Sequence, residues 1–160
     1  MKYEITNNAI TIYDTQKYTT IEDFLNTYKQ SRKNKYLFIQ NKQILLDDQP
    51  VKNIQAPIHN KPITIIRKKE EVDWKTSEAE CSIIHQNPFL LVVHKDAGCI
   101  IHGEENDTTC LNAQVARFLL NHDMHTTVRP LHRLDKETTG LVLYSLIPFF
   151  QPWFDNAMEN

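Results

Sequence analysis

Between Lys68 and Glu80 the chain reads KKEEVDWKTSEAE, a run in which only Val72 and Trp74 could enter a core. A segment so charged cannot pass through a packed interior, so it directs the 160 residues toward two small cores instead of one. Charge divides at the same place. Residues 1–69 hold 12 Lys+Arg against 6 Asp+Glu, a net of +6, and residues 70–160 hold 6 against 14, a net of −8, which together give the formal charge of −2. We expect a module over residues 1–69, a linker over 70–80 and a second module over 81–160. The basic first half points to a polyanion as its partner.

Other features exclude function classes. The opening MKYEITNNAI lacks the apolar centre of a signal peptide, and no run approaches the roughly 20 apolar residues that span a bilayer. No membrane contact and a cytoplasmic location are expected. Cys81, Cys99 and Cys110 form no CxxC pair, so reduced and mostly buried thiols are expected. His122 and His125 share a helical spacing but lack a third ligand nearby, so no metal is expected. There is no Walker loop or GxGxxG among only 3 glycines, which argues against a nucleotide cofactor.

The pattern of the first module is hairpin, helix, helix, strand, turn, strand. KYEITNNAITIY alternates around an Asn-Asn turn, and TTIEDFLNTYKQ offers a threonine cap and a stripe of Ile21, Phe24, Leu25 and Tyr28. RKNKYLFIQ predicts a second short helix, with Tyr36, Leu37 and Ile39 available for packing. QILLDDQPV predicts two strands about an Asp47-Asp48 turn, and KPITIIRKK a further strand. Lys29, Arg32, Lys33 and Lys35 crowd into KQSRKNK, where helix ends would present them to phosphates. A solvated surface run is the alternative. QSRKNK followed by ILLDDQPV resembles the small RNA-binding module known from ribosomal protein S-four, often fused to RNA-modifying enzymes. The resemblance implies that these four cations contact RNA. Lys42 and Asp48 stand where that module commonly has glycine, at sites that could need positive φ.

In the second module, CSIIHQ and PFLLVVHK predict strands joined by an Asn-Pro turn, and TTCLNAQVARFLLNH a helix with Leu111, Val115, Phe118 and Leu119 inward. GLVLYSL predicts a buried strand, and PFFQPWFDNAMEN a final helix starting near Pro148 or Pro152. The chemistry gathers in RPLHRLDKETTG. A carboxylate beside a guanidinium is held ionised, and Asp135 sits two residues from Arg133. Such a carboxylate can attack an anomeric carbon or stabilise positive charge there. Hydroxyls of Thr138 and Thr139 would close the loop, and Gly140 would turn the backbone into the strand. A structural charged turn is the alternative from the residues alone.

HRLDKETTG resembles the signature of RluA-type pseudouridine synthases, His-Arg-Leu-Asp, two variable residues, then Thr-Ser-Gly, with Thr139 in place of the serine. NPFLLVVHKDAGCIIHG resembles that family's opening strand, loop and strand; Lys95, Ala97, Gly98 and His102 fit, and Asp96 replaces a proline. The resemblance implies isomerisation of uridine to pseudouridine in ribosomal or transfer RNA, without metal or organic cofactor. It implies Asp135 as the catalytic residue at C1′, with Arg133 pairing with it and helping to hold a flipped nucleotide. Lys136 would contact phosphate, and His132 would support the loop.

The expected fold class is therefore α+β: a small helix-helix-strand RNA-binding module, then an incomplete mixed or antiparallel sheet core. The family's later active-site tyrosine and basic residue have no counterpart before Asn160. Two expectations follow: a catalytically inactive, truncated RNA-binding protein as the alternative function, and self-association through apolar surface left open around Phe149, Phe150, Trp153 and Phe154. A glycoside-processing enzyme using Asp135 is weaker, since only Glu137 offers a second carboxylate.

Overall fold

The computed structural model describes residues 1–104 and 106–159. The chain forms two compact units, Met1–Lys68 and Lys69–Asn160. No helix among the described residues is long and apolar enough to cross a membrane.

The first unit is a five-stranded antiparallel sheet with two helices. Strands β1 (Tyr3–Ile5) and β2 (Ala9–Ile12) form the expected hairpin. Helices α1 (Ile21–Thr27) and α2 (Arg32–Gln40) come next, followed by β3 (Ile44–Leu46), β4 (Gln49–Pro50) and β5 (Ile63–Ile66). The sheet order is β1-β2-β5-β3-β4, so the hairpin is built into the module's sheet through β2 and β5. Thr20 caps α1 by accepting from the Asp23 N–H (3.2 Å), and the Asp23 carboxylate accepts from the Thr20 N–H (3.1 Å). The core is Ile10, Ile12, Ile21, Phe24, Leu25, Ile44, Ile63 and Ile65, each at most 3% exposed. Helix α2 departs from expectation. It buries no residue, and Tyr36 and Leu37 are exposed.

Glycine scarcity shapes the turns. With 3 glycines in the chain, seven non-glycine residues among those described take positive φ. Lys42 (φ 54°) and Asp48 (φ 65°), the two positions where glycine was anticipated, are among them. Asp47 and Asp48 are both left-handed between paired Leu46 and Gln49, the conformation a two-residue hairpin demands. Lys29, Lys42 and Asp123 each follow a helix C-cap. In each case the left-handed residue's N–H and the next one's reach back three and five residues, as from Lys42 to Ile39 (3.2 Å) and from Gln43 to Phe38 (2.9 Å). At Lys29 and Lys42 the cation at least faces the negative end of its helix, whereas Asp123 opposes it. Asp123→Gly is therefore expected to stabilise the second unit by about 0.5–1 kcal/mol, the relief of left-handed strain and dipole repulsion exceeding glycine's added chain entropy. A urea titration with a higher midpoint and unchanged slope would register this; a lower midpoint would refute it.

The second unit has a three-stranded antiparallel sheet, β6 (Ser82–Gln86), β7 (Leu90–Lys95) and β8 (Gly140–Ser145), in the order β6-β7-β8. Between β7 and β8 runs α3 (Leu111–Asn121), and after β8 a 3-10 turn (Pro148–Phe150) leads into α4 (Gln151–Glu159). Leu111, Val115, Phe118 and Leu119 of α3 pack on Leu91, Val93, Val142 and Tyr144. Thr and Ser side chains do not cap α3. Its first N–H groups, from Leu111 and Asn112, instead donate to the Ile100 and Ile101 carbonyls at 2.8 and 3.0 Å. This explains why CIIH is a loop and not the second strand expected there.

Residues 70–80 also differ from expectation. They are a strap on the second unit, because several of their polar groups find partners there. The Glu70 carboxylate accepts from Arg129 at 2.7 and 3.1 Å, Asp73 accepts from the Val128 N–H at 2.8 Å, and Arg117 Nε donates to the Ser77 carbonyl at 2.6 Å. Phe149 and Phe150, anticipated as open surface, are 5% and 4% exposed, and Phe150 meets Phe89 edge to face at 5.2 Å. Of that aromatic group Trp153 is the exposed member.

Candidate active site

Strand β7 alternates inward at Leu91, Val93 and Lys95, so a lysine occupies the third core-facing position. Lys95 is fully buried. An ammonium there must be given oxygen partners, and Nζ donates to three carbonyls: Cys99 (2.7 Å), Lys136 (2.8 Å) and Asp96 (3.0 Å). The first and last of these lie in the turn after β7. Lys136 lies in the loop before β8. One buried cation thus ties two loops together, and the Gly98 N–H adds a second bond to the Lys136 carbonyl at 2.8 Å.

The loop so held contains Asp135. Its backbone carbonyl accepts from the Thr138 N–H at 3.0 Å, closing a turn. Thr139 Oγ1 donates to the Lys95 carbonyl at 2.9 Å, with His94 Nε2 at 3.3 Å. Of the two hydroxyls expected to close the loop, Thr139 does so, while Thr138 contributes its backbone instead. Gly140 pairs with Lys95 across the β7–β8 ladder at φ +156°, where a Cβ would lie 3.3 Å from Leu134 Cδ1.

The segment before Asp135 lies along the outer side of β8. The Leu131 N–H donates to the Leu143 carbonyl (2.8 Å), and the Ser145 N–H donates to the Arg129 carbonyl (2.9 Å). Between them, the Leu143 N–H donates to His132 Nε2 at 3.2 Å. His132 supports the loop through this bond.

Asp135 and Arg133 are both exposed. Among the described residues no ion pair within 4.0 Å joins them, so the expected guanidinium–carboxylate contact is not made. Both side chains are exposed, and closeness in sequence does not bring them together. The Asp135 carboxylate makes no hydrogen bond among the described residues, which leaves both oxygens open to an incoming molecule. The Lys136 side chain is exposed beside it while its carbonyl is buried in the Lys95 contact.

Tyr144 serves the core. It is 1% exposed, its hydroxyl donates to Asn112 Oδ1 at 2.6 Å, and burial pushes its phenol well above the ordinary range. Burial likewise pushes the Cys81 thiol up to about 12, an inert value; the three cysteines are free, and Cys99 is the partly exposed one. Among the described residues no cluster of three or more His, Cys, Asp or Glu could hold a metal. His122 and His125 lie beside Glu80 (3.8 Å) and Asp123 (3.0 Å), respectively. The Lys95 role was missed from sequence, although the alternation LLVVHK was a usable signal.

The four cations of the first unit fall into two groups. Lys29, Arg32 and Lys33 are exposed. Lys35 instead lies 3.6 Å from Glu22, which also accepts from Gln55 Nε2.

Comparison with known proteins bears on this loop. Residues 89–160 match the family model described as RNA pseudouridylate synthase. The chain is 32% identical over 94 residues to ribosomal large subunit pseudouridine synthase D of Pseudomonas aeruginosa, covering 54% of this chain and 28% of that protein. It is 34% identical over 64 residues to tRNA pseudouridine synthase C of Pasteurella multocida, covering 40% of this chain and 26% of the other. A solved structure, human RNA pseudouridylate synthase domain containing 4, matches at 27% identity and TM-score 0.40, covering 49% of this chain and 29% of that one. The superposition is loose, and the sequence match carries the relationship. The chain thus spans under a third of the length of these relatives. Over residues 89–160, a stretch that includes the Asp135 loop, the chain is similar to the RNA pseudouridylate synthases.

Proposed function

We propose that the protein isomerises uridine to pseudouridine in RNA, with Asp135 acting at C1′ of the target nucleotide. The observation that carries the reading is a solvent-facing carboxylate without a protein partner, on a loop anchored from beneath by the buried Lys95. The reaction breaks the N1–C1′ bond, turns the uracil and forms a C5–C1′ bond; N1 gains a proton and C5 loses one. Atoms and electrons balance, so no oxidant, reductant or cofactor is required. A base within a helix must leave its stack first. On this reading Arg133, exposed and free of the carboxylate, holds the flipped nucleotide, and the exposed Lys136 meets a phosphate. The relatives' names point to ribosomal or transfer RNA as the substrate.

The first unit we read as an S-four-type RNA-binding module, with Lys29, Arg32 and Lys33 meeting phosphates and Lys35 restrained by Glu22. RNA tritiated at C5 of uridine tests the chemistry, since isomerisation must release that label to water. Label that stays on RNA that the protein binds would overturn the enzymatic reading and leave the binding reading standing.

A further inference from the structure

The first unit carries a groove of about 520 Å³ between α2 and residues 52–54. Arg32, Lys35, Tyr36 and Ile39, on one face of α2, form one wall, Lys52, Asn53 and Ile54 help form the other, and Glu22 also lines the groove beside Lys35. Tyr36 is 65% exposed, on a helix that buries nothing, so its ring is a large apolar face left in water. Lys35 is neutralised by Glu22, but neither Arg32 nor Lys52 is in an ion pair among the described residues. Helix α2 begins with Arg32, Lys33 and Lys35 and has no acid in its first turn, so cations sit at the positive end of its dipole. That placement costs stability in the free protein and is relieved by an anion.

We propose that this groove seats one unpaired nucleotide of RNA, its base stacked on Tyr36 above Ile39 and Ile54 and its phosphate between Arg32 and Lys52. An aromatic face supplies sequence-tolerant affinity for a base that has left its stack, and flanking cations supply the backbone contact. A phosphate site alone would not need the ring, and a duplex would not offer it a base. Lys52 lies far along the chain from the KQSRKNK run, so only the folded unit unites the cations with the aromatic. The proposal rests on the RNA-binding reading of the first unit.

Fluorescence anisotropy of the full chain with a labelled single-stranded oligouridylate, and with a duplex RNA of the same length, tests it. Tyr36→Ala is expected to weaken single-strand binding roughly 10-fold, while Tyr36→Phe, which keeps the ring, stays within about twofold. Lys52→Ala is expected to lower the slope of log affinity against log salt by about 0.7, the single-strand value for one phosphate contact. Tyr36 is exposed, so an unchanged thermal midpoint would certify that Tyr36→Ala folds. If the unaltered chain binds neither RNA, the RNA-binding reading fails and the groove with it. Should the chain bind RNA while Tyr36→Ala and Lys52→Ala leave affinity and salt slope unmoved, the groove is overturned and the wider reading stands. Binding of the duplex as tightly as the single strand would likewise overturn it.

Discussion

Asp135→Asn is expected to cut tritium release from C5 of uridine in RNA on the order of 10⁴-fold or more, as loss of a group that acts directly on the reacting atom does. The amide has the carboxylate's shape but lacks the negative charge that the proposed role at C1′ requires. Because the carboxylate makes no hydrogen bond among the described residues, its replacement leaves no protein donor orphaned, and the loop keeps its turn through the Asp135 carbonyl and the Thr138 N–H. Folding and RNA affinity are therefore expected to persist, the latter within about twofold or slightly stronger, since an acid near phosphate-binding cations opposes binding. Turnover retained by Asp135→Asn would remove this residue from the mechanism. Loss of RNA binding in step with activity would make Asp135 a binding residue instead.

The second large effect belongs to Lys95. In Lys95→Met the buried methylene stem keeps its packing while three carbonyls lose their shared donor. The Lys136 carbonyl retains the Gly98 N–H and the Asp96 carbonyl retains the Cys99 N–H, so the Cys99 carbonyl suffers most. Removing a buried charge gives back part of its desolvation, and the net cost is expected at about 2–3 kcal/mol. A urea titration would show a lower midpoint with the same slope. Amide exchange at Gly98 and Thr138 should quicken by roughly tenfold or more, because the two loops open together once the cation is gone. A variant as stable as the parent, with unaltered exchange, would show that the ammonium does not hold the loops. Arginine should not rescue it: a planar guanidinium spreads its donors in a fork, whereas these three carbonyls converge on one point.

Much of this architecture could be read from periodicity. The α3 stripe, the α1 cap and the Asp47-Asp48 hairpin each follow from local pattern, because capping and alternation are decided within a few residues. Other features depend on partners distant in sequence. CIIH has the composition of a strand, but its carbonyls are claimed by the start of α3. KKEEVDWKTSEAE has the composition of a linker, but Arg129, Arg117 and the Val128 N–H claim its polar groups. At the candidate site the motif located Asp135, whereas closeness in sequence suggested an Arg133 contact that the two exposed side chains do not make. The lysine that fixes the loop lies 40 residues earlier; the motif resemblance marked its position, but its buried anchoring role follows from the inward register of β7.

The bond from the Leu143 N–H to His132 bears on how variants of this chain would be interpreted. His132 stands three positions before Asp135, and its ring nitrogen fills the place that a neighbouring strand's carbonyl would take. A mutational scan scored by turnover alone would rank His132 beside Asp135, although one residue would have failed by loosening the loop and the other by losing its charge. Scoring the same library for folded yield separates them, and so divides the signature into letters that do chemistry and letters that hold it in place.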